Sequence, residues 1–392
     1  MNGRVDAFLT DDERAFRAEI RAAIRAMLPP DLARRTREGI HLSREDMARW
    51  NRILDARGWA AHHWPASAGG PGWTPIQRFL FEAECAAADA PPLSVFGIYL
   101  VGPTLVAFGS QAQQDRYLPA IRSGAEFWCQ GYSEPEAGSD LASLRTTARR
   151  VEGGWVVTGQ KAWTTEGHFA DLMICLARTN REAKPQAGLS LFVVDMRAPG
   201  VTIAPVVTID GGHSVNSVFL DEVRVPDDAL IGEVDRGWGY AKFLLAHERT
   251  NNAQVHRSRR EFERLKALAA ARPGPDGAVL DDPAVRRRFA VVEAHLAGLE
   301  ATVLRVLVDQ TEGREPGPEA SIVKVIGSRL QQAISELAMD VIGEDALTMP
   351  DAAGGEVAGW TERHLFRRVV TIYAGSNEIQ KTIIARATLG LR

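Results

Sequence analysis

Cysteine is scarce in this 392-residue chain: Cys85, Cys129 and Cys175 are the three present, at spacings that suit neither a metal site nor a redox pair. An odd, sparse set excludes a disulfide scaffold and points to a reducing compartment. Lysine is scarcer than its share, six of the 46 basic residues, and the net charge of −4 excludes the electrostatic footprint of a nucleic-acid binder. Long apolar runs are lacking as well. The stretch from Gly97 to Phe108 is nearly uncharged, but Pro103 interrupts it and it is too short to span a bilayer. The N-terminus opens with Asp and Arg rather than an apolar leader. Together these absences lead us to expect a cytoplasmic protein without a membrane span. What is present is ordinary for a globular protein: 45% hydrophobic and 24% charged residues, enough chain for two or three domains.

The periodicity changes twice along the chain. Phe16, Ile20, Ile24 and Leu28 recur at helical spacing behind Thr10, and Pro29-Pro30 ends that pattern. Helical patterns follow over residues 43–57, 75–88, 95–108 and 111–123. From Thr146 to Val225 the chain turns to short runs rich in Val, Ile, Phe, Trp and Thr: GWVVTGQKAWTT, DLMICLART, LSLFVVDM, VTIAPVV and SVFLDEVRVP read as strands. After Gly237 the helical period returns, with candidates over 238–270, 282–312, 318–341, 361–373 and 376–386, and a loop at 271–283. Helices, then strands, then helices give an α+β chain. We place its boundaries at 1–125 for an N-terminal helical domain, 126–232 for a central β-domain and 233–392 for a C-terminal helical bundle.

Taken alone, the candidate site residues are ambiguous. The segment from Trp128 to Asp140 offers small residues, hydroxyls and backbone N–H groups that suit a planar ring and a pyrophosphate, or a tight inter-domain turn. Trp163 by itself reads equally as core. His62-His63, His213, His295 and His364 show no metal spacing, and the GGPG at 69–72 lacks the lysine of a phosphate loop.

Four motifs in register remove much of that ambiguity. GYSEPEAGSD, GQKAWTT, FLDEVRVPDDALIGEVDRGW and IYAGSNEIQKTIIAR, in this order, resemble the acyl-CoA dehydrogenase family over nearly the whole chain. RGWAAHHWP, WCQGYSEP, TIDGGHSVN and AKFLLAHERT are similar to the large subunits of pimeloyl-CoA-type members. The resemblance implies an N-terminal helical domain, a β-domain and a C-terminal four-helix bundle, with FAD as cofactor. It implies that Gln130, Tyr132 and Ser133 line the flavin, that Ser139 reaches its pyrophosphate side, and that Trp163 packs on the isoalloxazine. Thr165 would bond near the reactive nitrogen, and Ser376 and Glu378 would lie near the ADP part. Phe96, Tyr99, Leu100, Phe243 and Ala374 would line the acyl-CoA site, with Gly97 and Gly102 leaving room for a bulky acyl group.

The implied reaction is α,β-dehydrogenation of an acyl-CoA thioester, with electrons passed to an electron-transferring flavoprotein. Many relatives carry the catalytic glutamate between the Tyr and Gly that here flank Ala374. A minority place it on another helix before an arginine. That position is Glu248, followed by Arg249, and we expect Glu248 to be the base and Arg249 its orienting partner. Other departures concern the cofactor. The family's Arg-x-x-Phe-Gly stretch gives way to HRSRREFERLKALAA, and its Gly-Gly to Gly343-Glu344. Arg257, Arg259 or the arginines at 286–288 are candidate replacements, or a partner chain completes the site. A homotetramer or homodimer, or a heterotetramer with a shorter homologue, follows from the resemblance. Oxidase or desulfinase-type chemistry on the same fold, and a non-catalytic subunit, remain alternatives.

Overall fold

The computed structural model describes residues 9–251, 253–314, 317–347 and 356–391, without the side chains of 245–251, 356 and 358. The chain divides into two compact units: Met1–Leu42 with Trp73–Pro91 and Arg249–Arg392, and Ser43–Gly72 with Pro92–Glu248.

The first unit is helical. It contains α1 (Asp11–Met27), α2 (Pro30–Glu38), α4 (Pro75–Ala87), α8 (Val255–Ala271), α9 (Pro283–Thr311), α10 (Glu319–Ile342), α11 (Glu356–Phe366) and α12 (Asn377–Leu389). Thr10 closes a capping box with Glu13 at the start of α1, and three acidic residues complement the first turn's dipole. The sequence pattern ends at Pro29-Pro30, yet α2 begins at Pro30, because proline at a first helical position gives up no intrahelical bond. Phe79, Leu80, Phe262, Leu265, Phe289, Leu296, Val323 and Leu337 are among the apolar side chains that close the core.

The helix expected over 238–270 is two helices. α7 (Gly237–Asn251) and α8 are separated around Gln254, which sits in the left-handed region at φ 48°. The break presses its backbone onto α10: a Cβ on Gly327 would lie 2.6 Å from the Ala253 carbonyl oxygen. The loop at 271–283 contains a small hairpin, β9 (Pro273–Gly274) with β10 (Gly277–Ala278). After α11 the chain runs through a 3₁₀ turn, Arg367–Thr371, into α12.

The second unit is built on an eight-stranded sheet: β1 (Trp128–Gly131), β2 (Thr147–Val151), β3 (Gly154–Thr165), β4 (Leu172–Arg178), β5 (Leu189–Asp195), β6 (Val201–Val206), β7 (Val215–Pro226) and β8 (Leu230–Ile231). The order is β6-β7-β3-β2-β4-β5-β8, with β1 parallel to β4. β5, antiparallel to β4 and to the short β8, is buried from Leu189 to Val194, in keeping with the continuous apolar run Leu191–Val194. Also in this unit are α3 (Arg44–Asp55), a seven-residue π-helix (Val95–Val101), α5 (Gly102–Phe108), α6 (Gln111–Ser123) and α7 up to Glu248.

The π-helix leaves one carbonyl to be answered from elsewhere in the chain. The carbonyl of Ile98 would be paired five residues on, at Pro103, which has no N–H. The buried Trp64 indole N–H donates to it instead, at 2.7 Å.

Candidate active site

In the second unit the site grows from a β-bulge. β3 pairs with β7 antiparallel; the register slips by one residue between Val157 and Gly159 and slips back between Lys161 and Thr164. Trp163 and Glu166, on either side of Thr164-Thr165, both occupy the left-handed region, at φ 60° and 59°. Such conformations cost non-glycine residues about 1–3 kcal/mol each and persist only where surroundings enforce them. Here the bulge turns the Trp163 indole outward, leaving it 62% exposed while Thr164 is fully buried. On the β1 side, the Ala162 N–H donates to the Ser133 carbonyl at 2.8 Å. That bond joins the Gln130–Ser133 segment to the strand that carries Trp163 and Thr165.

A buried ion pair, missed from the sequence, holds this junction from behind. The Lys161 ammonium is wholly buried and donates to Glu134 Oε1 (2.9 Å), to the Leu176 carbonyl (2.7 Å) and to the Tyr132 carbonyl (3.3 Å). Glu134 also accepts the Arg145 N–H (2.6 Å) and the Thr146 N–H (2.9 Å). Burial alone would raise the Glu134 carboxyl; the Lys161 charge and these hydrogen bonds outweigh it and hold the group below its usual range. The signal was faint but present: one of only six lysines, inside a strand, with a glutamate in the preceding loop. Glu166 has no such compensation, and desolvation pushes its carboxyl up to about 7.

Beside this wall, the loop Gly138–Asp140 is exposed, Ser139 with it. The Gln130 side-chain nitrogen is buried without a hydrogen-bond partner among the described residues. Tyr132 is buried, and Ser133 and Thr165 are half-buried.

The π-helix packs against β1 and brings the expected acyl-site residues to the same neighbourhood. Phe96 and Tyr99 are half-buried, Leu100 is interior, and Tyr99 stacks against His63 with centroids 4.9 Å apart. Phe243 of α7 meets Phe108 edge-on at 5.0 Å. The expectation that Gly97 and Gly102 leave room for an acyl group is overturned. A Cβ on Gly102 would overlap the Trp64 indole, and one on Gly97 would sit 3.0 Å from Ile121. Both glycines are there for internal packing.

In the first unit, Ala374, Ser376 and Glu378 lie on one short turn leading into α12. Ala374 (φ 53°) and Gly375 (φ 78°) are consecutive left-handed residues, a local geometry that points successive N–H groups outward. The Ser376 hydroxyl caps α12 by accepting the Ile379 N–H, and Glu378 is exposed in the first helical turn, its carboxyl lowered by its own backbone N–H and by Ser376. Behind the turn, buried Lys324 donates to Asn377 Oδ1 at 3.1 Å; burial lowers its ammonium to about 8, with Glu378 partly opposing. Ahead of it, fully buried Arg367 makes a bidentate pair with Glu261 at 2.9 and 3.0 Å.

Among the arginines proposed as replacements for the family's phosphate ligand, Arg259 is bidentate to Glu300 (2.8 and 2.7 Å), and Arg257 pairs with Glu261 (3.0 Å). Arg286 and Arg288 pair with Asp281 and Asp340. Glu344 is exposed on a 3₁₀ turn. The side chains of Glu248 and Arg249 lie outside the described residues; their backbone belongs to α7.

A solvent-facing indole on a strained bulge, beside an unpartnered amide and an open glycine-containing loop, fits the flat ring and pyrophosphate of a flavin nucleotide. The fold and this site define a flavoprotein oxidoreductase. Family profiles then agree over three successive stretches: acyl-CoA dehydrogenase N-terminal domain at residues 10–125, middle domain at 129–223 and C-terminal domain at 235–389. The chain belongs to the acyl-CoA dehydrogenase family, with FAD as its cofactor. It is 39% identical over 390 residues to acyl-CoA dehydrogenase IpdE1 of Mycobacterium tuberculosis, covering 97% of this chain and 98% of that one. Acyl-CoA dehydrogenase FadE29 of the same organism is 34% identical over 387 residues, 97% of each chain. Among solved structures, the steroid ACAD Tcur3481-Tcur3483 superposes with a TM-score of 0.87 at 30% identity, over 98% of both chains. The ChsE4-ChsE5 complex of M. tuberculosis gives 0.85 at 30% identity, again over 98% of both. No helix among the described residues is long and apolar enough to cross a membrane.

Proposed function

We propose that this enzyme oxidises the Cα–Cβ bond of a bulky, largely apolar acyl-CoA thioester, with Glu248 as the base. FAD, when bound, supplies the hydride acceptor. The Glu248 carboxylate takes the α-proton, the electron pair released at Cα forms the new double bond, and the β-hydrogen departs as hydride. Arg249 orients that carboxylate. The backbone N–H groups at Ala374 and Gly375 donate to the thioester oxygen as negative charge gathers there, which acidifies the α-proton. Trp163, Thr165, Gln130, Tyr132 and Ser133 would hold the flavin ring. Ser139, Ser376 and Glu378 lie toward the nucleotide. Phe96, Tyr99, Leu100 and Phe243 surround the acyl chain, and electrons leave to an electron-transferring flavoprotein.

The observation that carries this reading is the outward Trp163 indole on its strained bulge, which gives an apolar ligand of ring size a place to lie. The substrate class is supported by the likeness to a protein described as a steroid ACAD. The pimeloyl-type likeness of the sequence makes a shorter dicarboxylyl thioester the competing substrate. With Arg257 and Arg259 engaged by Glu261 and Glu300, a shorter homologous chain is the partner we favour for completing the nucleotide site, in a heterotetramer; the relative ChsE4-ChsE5 is itself a complex.

Anaerobic spectra of the purified protein, alone and after co-expression with a shorter homologue, test the proposal against steroid-side-chain, pimeloyl and straight-chain acyl-CoAs. Bleaching of the flavin band by the steroid-type thioester supports it in full. Bleaching by pimeloyl-CoA alone overturns the substrate class, and a yellow protein bleached by none favours the oxidase or desulfinase-type alternative.

A further inference from the structure

The segment TIDGGHSVN found no role in the reaction above, yet its last residue, Asn216, sits against the bulge. Asn216 is fully buried and pairs with Thr164 across β7 and β3 at the point where their register has slipped. Its side-chain Nδ2 donates to the Thr164 carbonyl at 3.0 Å, an oxygen that the Gly167 N–H also approaches at 3.4 Å. A carbonyl can only accept, so the amide orientation is fixed by chemistry: Nδ2 faces Thr164 and Oδ1 faces away. Oδ1 then meets His213 Nε2 at 2.8 Å, which must carry a proton, and Nδ2 also faces His168 Nδ1 at 3.3 Å, which must present its lone pair. The two imidazoles stack with centroids 4.5 Å apart. A Cβ at Gly167 would press on the Thr164 methyl at 3.1 Å while meeting Nδ2 at an ordinary contact distance of 3.5 Å, so a side chain there strains the bulge itself.

We propose that Asn216 is a positioning residue for the flavin wall, latching the bulge so that Trp163 and Thr165 are held ready for FAD; this rests on the FAD-dependent reading above. Two left-handed residues flank Thr164, and the bulge is tied down on both sides. Ser133 accepts from Ala162 before it, and Asn216 donates to Thr164 within it. Without the amide the strained segment loses its buried donor and relaxes, and the indole no longer has a fixed direction.

The test compares Asn216→Asp, which keeps the shape and removes the donor, with Asn216→Leu, Gly167→Ala and a control, Val194→Ala, in the buried part of β5. Amide hydrogen exchange over residues 162–168 is followed in FAD-free protein, and FAD affinity and visible circular dichroism in the holoprotein. Loss of one buried hydrogen bond predicts exchange and FAD Kd each raised roughly tenfold in both Asn216 variants, and a smaller rise in Gly167→Ala. The control lowers Tm but leaves both quantities within about twofold. Asn216 variants that match wild type, or a control that shifts exchange and Kd equally, overturn the proposal. Should the Asn216 variants fail to fold, an unchanged exchange rate in Gly167→Ala overturns it. A wild-type chain that binds no FAD, alone or with its partner, sinks the flavin role together with the proposed function, while exchange in the FAD-free protein still decides whether the latch exists.

Discussion

Two buried lysines serve the two units in different ways. In the strand-rich unit Lys161 is paired with a carboxylate, Glu134, which is itself held by two backbone N–H groups. In the helical unit Lys324 has a neutral amide oxygen as its bonding partner, and its ammonium falls to about 8. The knot fixes backbone behind the strained bulge through the Tyr132, Leu176, Arg145 and Thr146 main chain. A desolvated ammonium beside the turn into α12 costs stability while it is charged, a cost that alkali relieves. The difference teaches that the two halves of the chain secure their functional segments by separate means, so each can be perturbed without the other.

The largest expected effect lies outside both knots. Glu248→Gln removes the general base and should lower turnover about 10³-fold while FAD stays bound, read by anaerobic flavin bleaching; near-normal turnover ends the assignment. Next, Lys161→Met strands a buried carboxylate and should cost about 3–5 kcal/mol in denaturant unfolding, with loss of FAD. Glu261→Gln strands Arg367 at a similar cost of about 3–5 kcal/mol, but FAD affinity should fall less than in Lys161→Met, because Arg367 stands ahead of the turn carrying Ser376 and Glu378 and not behind the flavin wall. Equal flavin loss in these two variants would break the comparison.

The smallest effects are in pH. Lys324 binds its proton less tightly folded than unfolded, so the stability it contributes rises between about pH 8 and 10.5. Lys324→Met should abolish that rise in Tm. Glu166 is opposite: its folded carboxyl titrates near 7 rather than 4.5, so stability falls as pH climbs through that window and levels off above it. Glu166→Gln should flatten the fall, and a Tm profile unchanged by the substitution would contradict the desolvation argument.

Much of the fold could be read from periodicity, since helical and alternating patterns follow directly from which face of an element is buried. The apolar run Leu191–Val194 announced a buried strand, and Thr10 announced the start of α1. What was illegible depended on distant backbone. The break around Gln254 exists because Ala253 packs against Gly327, more than seventy residues away. The π-helix needed Trp64 to answer the carbonyl that Pro103 leaves unpaired. At the site, the motifs pointed to Gln130–Ser133 and Trp163–Thr165, and the structure joins the first to the strand that carries the second through the Ala162–Ser133 bond. The latch at Asn216 and the Lys161–Glu134 knot stayed hidden, because they link residues 52 and 27 positions apart through side chains with no local pattern.

Trp64 and Gly102 amount to a single inherited choice. Neither position can drift alone: a side chain at 102 would evict the indole, and an evicted indole would abandon the Ile98 carbonyl, so lineages that change one should be found to have changed the other. Anyone testing the proposed acyl site with new thioesters should therefore leave that pair alone and vary the half-buried Phe96, Tyr99 and Phe243 instead.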